Sequence, residues 1–240
     1  MNKLLNIILL LSPLILSGCL RTYYPAIYQT SAQPVIFEVE TKERYESKYA
    51  EADFTASRGD YENESLYMLR GSYTVVNTNK HNNVNTRLYV YTGIYRVSGV
   101  EKYDGTKSIF GVGGEFNGVL NMKINSFKLG FGLSAGIAAE TGGYYSFRKR
   151  ANSEGVIQSE QGVLFPMITL FPVFALNVSE KTLASAQFNV GTPGFITPSV
   201  VINNNNEYLY WISWAPDFDN GNYLGRRIVV GFMINTNTFY

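Results

Sequence analysis

One stretch limits the fold more than any other. From Phe127 to Ala139 the chain reads F-K-L-G-F-G-L-S-A-G-I-A-A. Phe127, Leu129, Phe131, Leu133, Ala135, Ile137 and Ala139 hold every odd position, and Lys128, Gly130, Gly132, Ser134, Gly136 and Ala138 fall between them. Strand side chains alternate faces with period two, so this is a strand with one apolar face and one small or polar face. At ~3.3 Å per residue it spans roughly 43 Å, or about 33 Å when tilted by ~40°. That is enough to cross the ~25 Å apolar band of an outer-membrane barrel.

The start of the chain bears on which membrane such a strand would meet. Residues 1–18 read as an export signal: Lys3 supplies a positive start, and Leu4 to Leu16 form an apolar run broken by Ser12 and Pro13. Leu16-Ser17-Gly18-Cys19 follows directly. This string resembles the lipobox of bacterial lipoprotein precursors. The resemblance implies cleavage before Cys19 and acylation (palmitate included) of that cysteine as the new N-terminus. Cys19 is the only cysteine, so no intramolecular disulfide or thiolate metal cluster can form. Leu20 follows it, without the aspartate that retains lipoproteins at the inner membrane in some bacteria. By that resemblance the address is the outer membrane of a Gram-negative cell. Residues 19–34 hold Pro25 and Pro34 and no clean period, and read as a lipidated N-terminus and extended tether. Their Tyr/Pro-rich opening resembles that of small lipid-anchored barrel-like proteins, a likeness that names no activity.

From 35 to 240 the chain reads as one β-barrel domain, a length barrels commonly reach as a unit. Strand-like runs recur with turn-rich breaks and no helical period. The expected strands cover 35–40, 48–57, 65–77, 87–98, 109–120, 127–139, 163–178, 182–190, 207–214 and 226–237. Thr141-Gly142-Gly143 leading into YYSFRKR reads as a hairpin, and 151–162 as a polar loop. Residues 163–178 are apolar on both faces, but Pro166 and Pro172 argue against a helix. A strand with irregularities at those prolines fits better. The fold class is therefore all-β, an antiparallel up-and-down barrel of about eight to ten strands.

Two architectures fit this alternation and place the apolar face oppositely. A soluble lipocalin-like barrel or sandwich turns it inward around an apolar ligand, whereas a membrane barrel turns it to lipid. The second face of 127–139 is mostly glycine, which suits a crowded lumen better than a water-facing exterior. Charged residues are 16% of the chain and aromatics 15%. The charged share is low against the ~25% usual in soluble domains. With the cleaner apolar faces outward, Arg70, Arg96, Glu115, Lys128, Gln187 and Arg227 project inward as a polar lumen network centred on Glu115.

Other chemistry finds little footing. The net charge of +1 offers no nucleic-acid footprint. His81 is the only histidine and lies in an Asn-rich loop, without the partners that catalysis or a metal needs. Asp217-Phe218-Asp219-Asn220-Gly221-Asn222 opens like a calcium loop but lacks the closing glutamate. No enzyme, cofactor or metal is expected. The partners expected are membrane lipid, through Cys19 and the barrel exterior, and the outer-membrane assembly machinery. The aromatic end, Phe239-Tyr240, resembles the terminal signal that such machinery reads.

Overall fold

The computed structural model describes residues 20–38, 44–59, 61–79, 81–124, 127–217 and 222–239. Its strands, in chain order, are β1 (Arg21–Tyr23), β2 (Arg44–Arg58), β3 (Ser65–Asn79), β4 (Asn82–Val97), β5 (Gly105–Ile124), β6 (Phe127–Thr141), β7 (Ile157–Ser159), β8 (Leu164–Asn177), β9 (Thr182–Gly191), β10 (Phe195–Asn204), β11 (Tyr208–Asp217) and β12 (Asn222–Asn235). One α-helix, α1 (Gly143–Ser153), follows β6. β1 and β7 pair in parallel as a separate ribbon, and the other ten strands close into a barrel. Each barrel strand is antiparallel to its neighbours in the chain, and β12 returns to β2. This is the expected all-β, up-and-down barrel.

Alternation decides the two faces. Along β3, Tyr67, Leu69 and Tyr73 are exposed and Leu66, Met68, Arg70, Thr74 and Val76 are buried. On β6 the exposed face is Phe127, Phe131, Leu133 and Ile137, with Lys128, Ser134 and Ala138 buried. The apolar face thus points away from the lumen. The inner face is partly glycine because aromatic rings lie across it. Gly113 pairs with Tyr89 and Gly111 with Tyr91, while Gly132 pairs with Phe171 and Gly231 with Trp211. A Cβ on Gly113 would sit 2.4 Å from the Tyr89 ring, and one on Gly132 2.4 Å from Phe171. Gly113→Val should therefore cost about 1–3 kcal/mol by overpacking. Outward-facing Gly71, with nothing near its added Cβ, should accept Ala within about 0.5 kcal/mol. Unfolding midpoints of the two variants in detergent check this.

Both prolines of β8 sit where the ladder allows them. Pro166 pairs with Ile137 of β6 but lies beyond the β9 pairing, which reaches Thr169. Phe171 and Pro172 have no register partners on β9. A residue without an N–H is tolerated at such gaps.

Three parts of the chain differ from the sequence expectation. Residues 143–150 form the first part of α1, not a hairpin strand, and 151–162, expected as a polar loop, carry the end of α1 and β7. Tyr144, Phe147, Arg148 and Ala151 are buried, an i, i+3, i+4, i+7 stripe, and Gly142 at φ 105° makes the turn into it. Within 191–206, which lacked an expected strand, β10 forms with Thr197, Ser199, Val201 and Asn203 facing inward. Residues 35–38 are not a barrel strand, and 20–34 are not a free tether. From Pro25 to Glu38 every residue except half-buried Tyr28 is buried, because the segment runs through the lumen. Residues 39 and 40 lie outside the described residues.

Candidate functional site

The thread makes one 3-10 turn, Ala26–Gln29, and then joins no sheet, so its remaining backbone N–H and C=O groups must find other partners. The barrel wall supplies them, mostly from side chains. In chain order, the Ala26 N–H donates to Glu140 Oε2 at 2.7 Å, and the Gly194 N–H donates to the Tyr28 carbonyl at 3.1 Å. Arg227 Nη1 donates to the Thr30 carbonyl at 2.8 Å and Arg87 Nη2 to the Pro34 carbonyl at 3.2 Å. The Val35 N–H donates to Gln187 Oε1 at 2.9 Å. Asn83 Nδ2 then reaches the Ile36 carbonyl at 2.5 Å, Asn203 Nδ2 the Phe37 carbonyl at 2.6 Å, and Lys128 Nζ the Glu38 carbonyl at 2.5 Å. These contacts recognise the thread by its backbone.

At mid-lumen the thread meets a cluster of charges. Arg87 lies between Glu51, 3.2 Å from its Nε, and Glu115, which its Nη1 bonds. Arg70 Nε pairs with Asp53 at 2.8 Å. Gln33, on the thread, inserts its amide between the acids: Nε2 donates to Glu51 Oε1 at 2.7 Å and Asp53 Oδ2 at 2.8 Å. Thr74 accepts from Arg87 Nε at 2.9 Å. All of these groups are buried, Glu115 the least completely at 9% exposure. Charges so deeply buried must be paired, and each of these is, although Asp53 Oδ1 is buried without a hydrogen-bond partner.

The residues singled out from sequence divide accordingly. Arg70, Glu115, Lys128, Gln187 and Arg227 all reach the lumen or the thread. Lys128 binds the Glu38 carbonyl, apart from Glu115, which pairs with Arg87 instead. Arg96 does not belong: it is exposed, because the inner face of β4 is Arg87, Tyr89, Tyr91 and Tyr95, with Leu88, Val90 and Ile94 outside. The same reversed phase concealed Arg87, the central cation. Its signal was the acid–base register itself, since Arg87 stands directly opposite Glu115. A second buried pair, Arg148 of α1 with Glu140 at 2.7 Å, also went unread. Cys19 and residues 218–221 of the calcium-like string lie outside the described residues, and His81 is exposed. Among the described residues no group of three or more His, Cys, Asp or Glu could hold a metal ion.

One end of the lumen is capped by aromatics. Tyr23, Tyr95, Tyr144 and Phe147 pack together, with Tyr95 and Tyr144 stacked at 4.4 Å. Tyr23 and Tyr95 hydroxyls both donate to the buried Glu64 carboxylate, at 2.5 and 2.7 Å. Outside the cap, Lys102 pairs with Glu154 at 3.1 Å, and that hydrogen bond raises the Lys102 ammonium above its ordinary value.

These features define a closed ten-stranded antiparallel barrel whose lumen is filled by its own chain. No family model matches the sequence, and no curated protein matches it. Solved structures with a similar architecture include neisserial surface protein A, 7% identical, covering 80% of this chain and 99% of that one at a TM-score of 0.36. The β domain of the Bordetella autotransporter Brka is 9% identical, covering 79% and 98% at 0.42. An outer-membrane channel from Pseudomonas putida F1 is 8% identical, covering 88% and 98% at 0.40.

Proposed function

We propose that the chain is a lipid-anchored outer-membrane β-barrel, closed by its own N-terminal segment, with a structural or interaction role and no catalytic activity. The facing of the wall carries this reading. Leu88 is 67% exposed, Val90 60%, Leu120 70%, Phe131 59% and Ile168 60%, while Arg70, Arg87, Glu51 and Asp53 are buried in the lumen. A wall so apolar over contiguous strands suits hydrocarbon and not water. No helix among the described residues is long and apolar enough to cross a membrane. A soluble barrel around an apolar ligand needs the opposite facing, and its lumen would not hold ion pairs and a peptide.

The lipid anchor rests on the lipobox at Cys19. Contact with the assembly machinery rests on the terminal strand β12 and the aromatic end that follows it. In a Gram-negative host the protein should fractionate with the outer membrane, incorporate radiolabelled palmitate and migrate differently on gels with and without heating. Cys19→Ser should lose the label yet still need detergent for extraction. A Cys19→Ser chain found freely soluble and monomeric in the periplasm would overturn the spanning barrel.

A further inference from the structure

The thread has a direction, and the two ends of the barrel differ. At one end the strands are joined by 59–64, 98–104, 142–163, 192–194 and 218–221, three of which are longer than any join at the other end, and 142–163 carries α1 and β7. At the other, where β2 begins and β12 ends, the joins are 80–81, 125–126, 178–181 and 205–207. Outer-membrane barrels keep short turns on the periplasmic side and longer loops outside. The thread starts at the long-loop end. β1 pairs with β7, Arg21 Nη1 donates to the Ser98 carbonyl at 2.5 Å, and the Thr22 N–H donates to the Tyr61 hydroxyl at 2.6 Å. Arg21 also lies over the Tyr61 ring at 4.7 Å. It finishes at the short-turn end, where Ser47 bonds Glu38 and Lys128 bonds the Glu38 carbonyl.

We infer that residue 20 stands on the outer face of the membrane, so that the lipid on Cys19 enters the outer leaflet and not the periplasmic one. This rests on the lipid-anchored, membrane-spanning reading above. A length comparison decides it. Cys19 is one residue before Leu20, a Cα–Cα step of ~3.8 Å. The hydrocarbon core is ~30 Å thick. With Arg21 to Tyr23 fixed among the long loops, one residue cannot carry the anchor to the far side. Leu20 is exposed and lines a recess of about 420 Å³ with Gly99, Val100, Tyr103 and Val156.

Leu20→Cys tests this in the full-length protein, because acylation of Cys19 leaves the new thiol as the only free one. Glu62→Cys marks the long-loop end and Asn205→Cys the short-turn end, both at exposed positions. A membrane-impermeant maleimide is applied to intact and to permeabilised cells, with palmitate incorporation followed in parallel. Leu20→Cys and Glu62→Cys should label fully in intact cells, and Asn205→Cys only after permeabilisation. Leu20→Cys labelled only after permeabilisation, with Glu62→Cys labelled in intact cells, would overturn the inference and leave the membrane barrel standing. Asn205→Cys labelled in intact cells would overturn it by inverting the barrel. Labelling of the unsubstituted chain would show Cys19 unacylated, a failure of the anchor reading and not of the thread's direction.

Discussion

Replacing Arg87 with methionine should remove about 3–5 kcal/mol of stability, the loss typical when one partner of a buried ion group is deleted. Its side chain is fully buried, with Glu51 on one side and Glu115 on the other. Without it Glu51 keeps Gln33 and Ser72, and Glu115 keeps Asn117, all neutral donors. Two carboxylates would then share one lumen with no cation between them. Glu115→Gln should cost less, about 1–3 kcal/mol, since the Arg87–Glu51 contact survives. Chemical unfolding in detergent or lipid measures both. A loss of only about 0–1 kcal/mol for Arg87→Met, the size typical of solvated surface pairs, would mean the cluster is wet and the lumen open.

Gln33→Glu should be as damaging, and its damage should depend on pH. The Gln33 amide now donates to both Glu51 and Asp53. A carboxylate in its place would face two others at hydrogen-bond distance, with no lone cation to spare. Like charges held together raise the folded-state pKa of an acid above its unfolded value. The folded form then binds more protons, so stability is retained below the ordinary carboxylate pKa of about 4.3 and lost as pH rises through the raised value. The variant should resemble the parent in mild acid and lose about 3 kcal/mol or more at neutral pH. Gln33→Met, which removes the donors without adding charge, should cost about 1–3 kcal/mol with little added pH dependence. Equal losses for Glu at both pH values would contradict the placement of the thread between the acids.

The barrel was legible in sequence because its signal is local and periodic. On β6, Phe127, Phe131, Leu133 and Ile137 alternate with small or polar residues, and the structure turns that face outward. β4 carries apolar residues on both faces, Tyr89 and Tyr91 inside and Leu88 and Val90 outside, so alternation alone could not orient it. That ambiguity misplaced Arg96 and hid Arg87. α1 was legible in principle from the spacing of Tyr144, Phe147, Arg148 and Ala151, but the glycine pair before it also fits a hairpin. The thread left no periodic trace at all. Its backbone is satisfied by Arg227, Arg87, Gln187, Asn83, Asn203 and Lys128, so its own side chains need follow no pattern.

Filling the lumen also follows from strand number. Eight strands enclose a space that wall side chains just fill. Ten leave more, and the thread from Pro25 to Glu38 occupies it.

Planar-bilayer recording of the full-length protein tests that closure most directly. The full chain should give no large, stable openings, and Gln33→Glu at neutral pH should produce them by loosening the thread. Large, stable openings from the unsubstituted full-length chain would contradict the account, because a lumen that conducts freely is not one filled by residues 25–38.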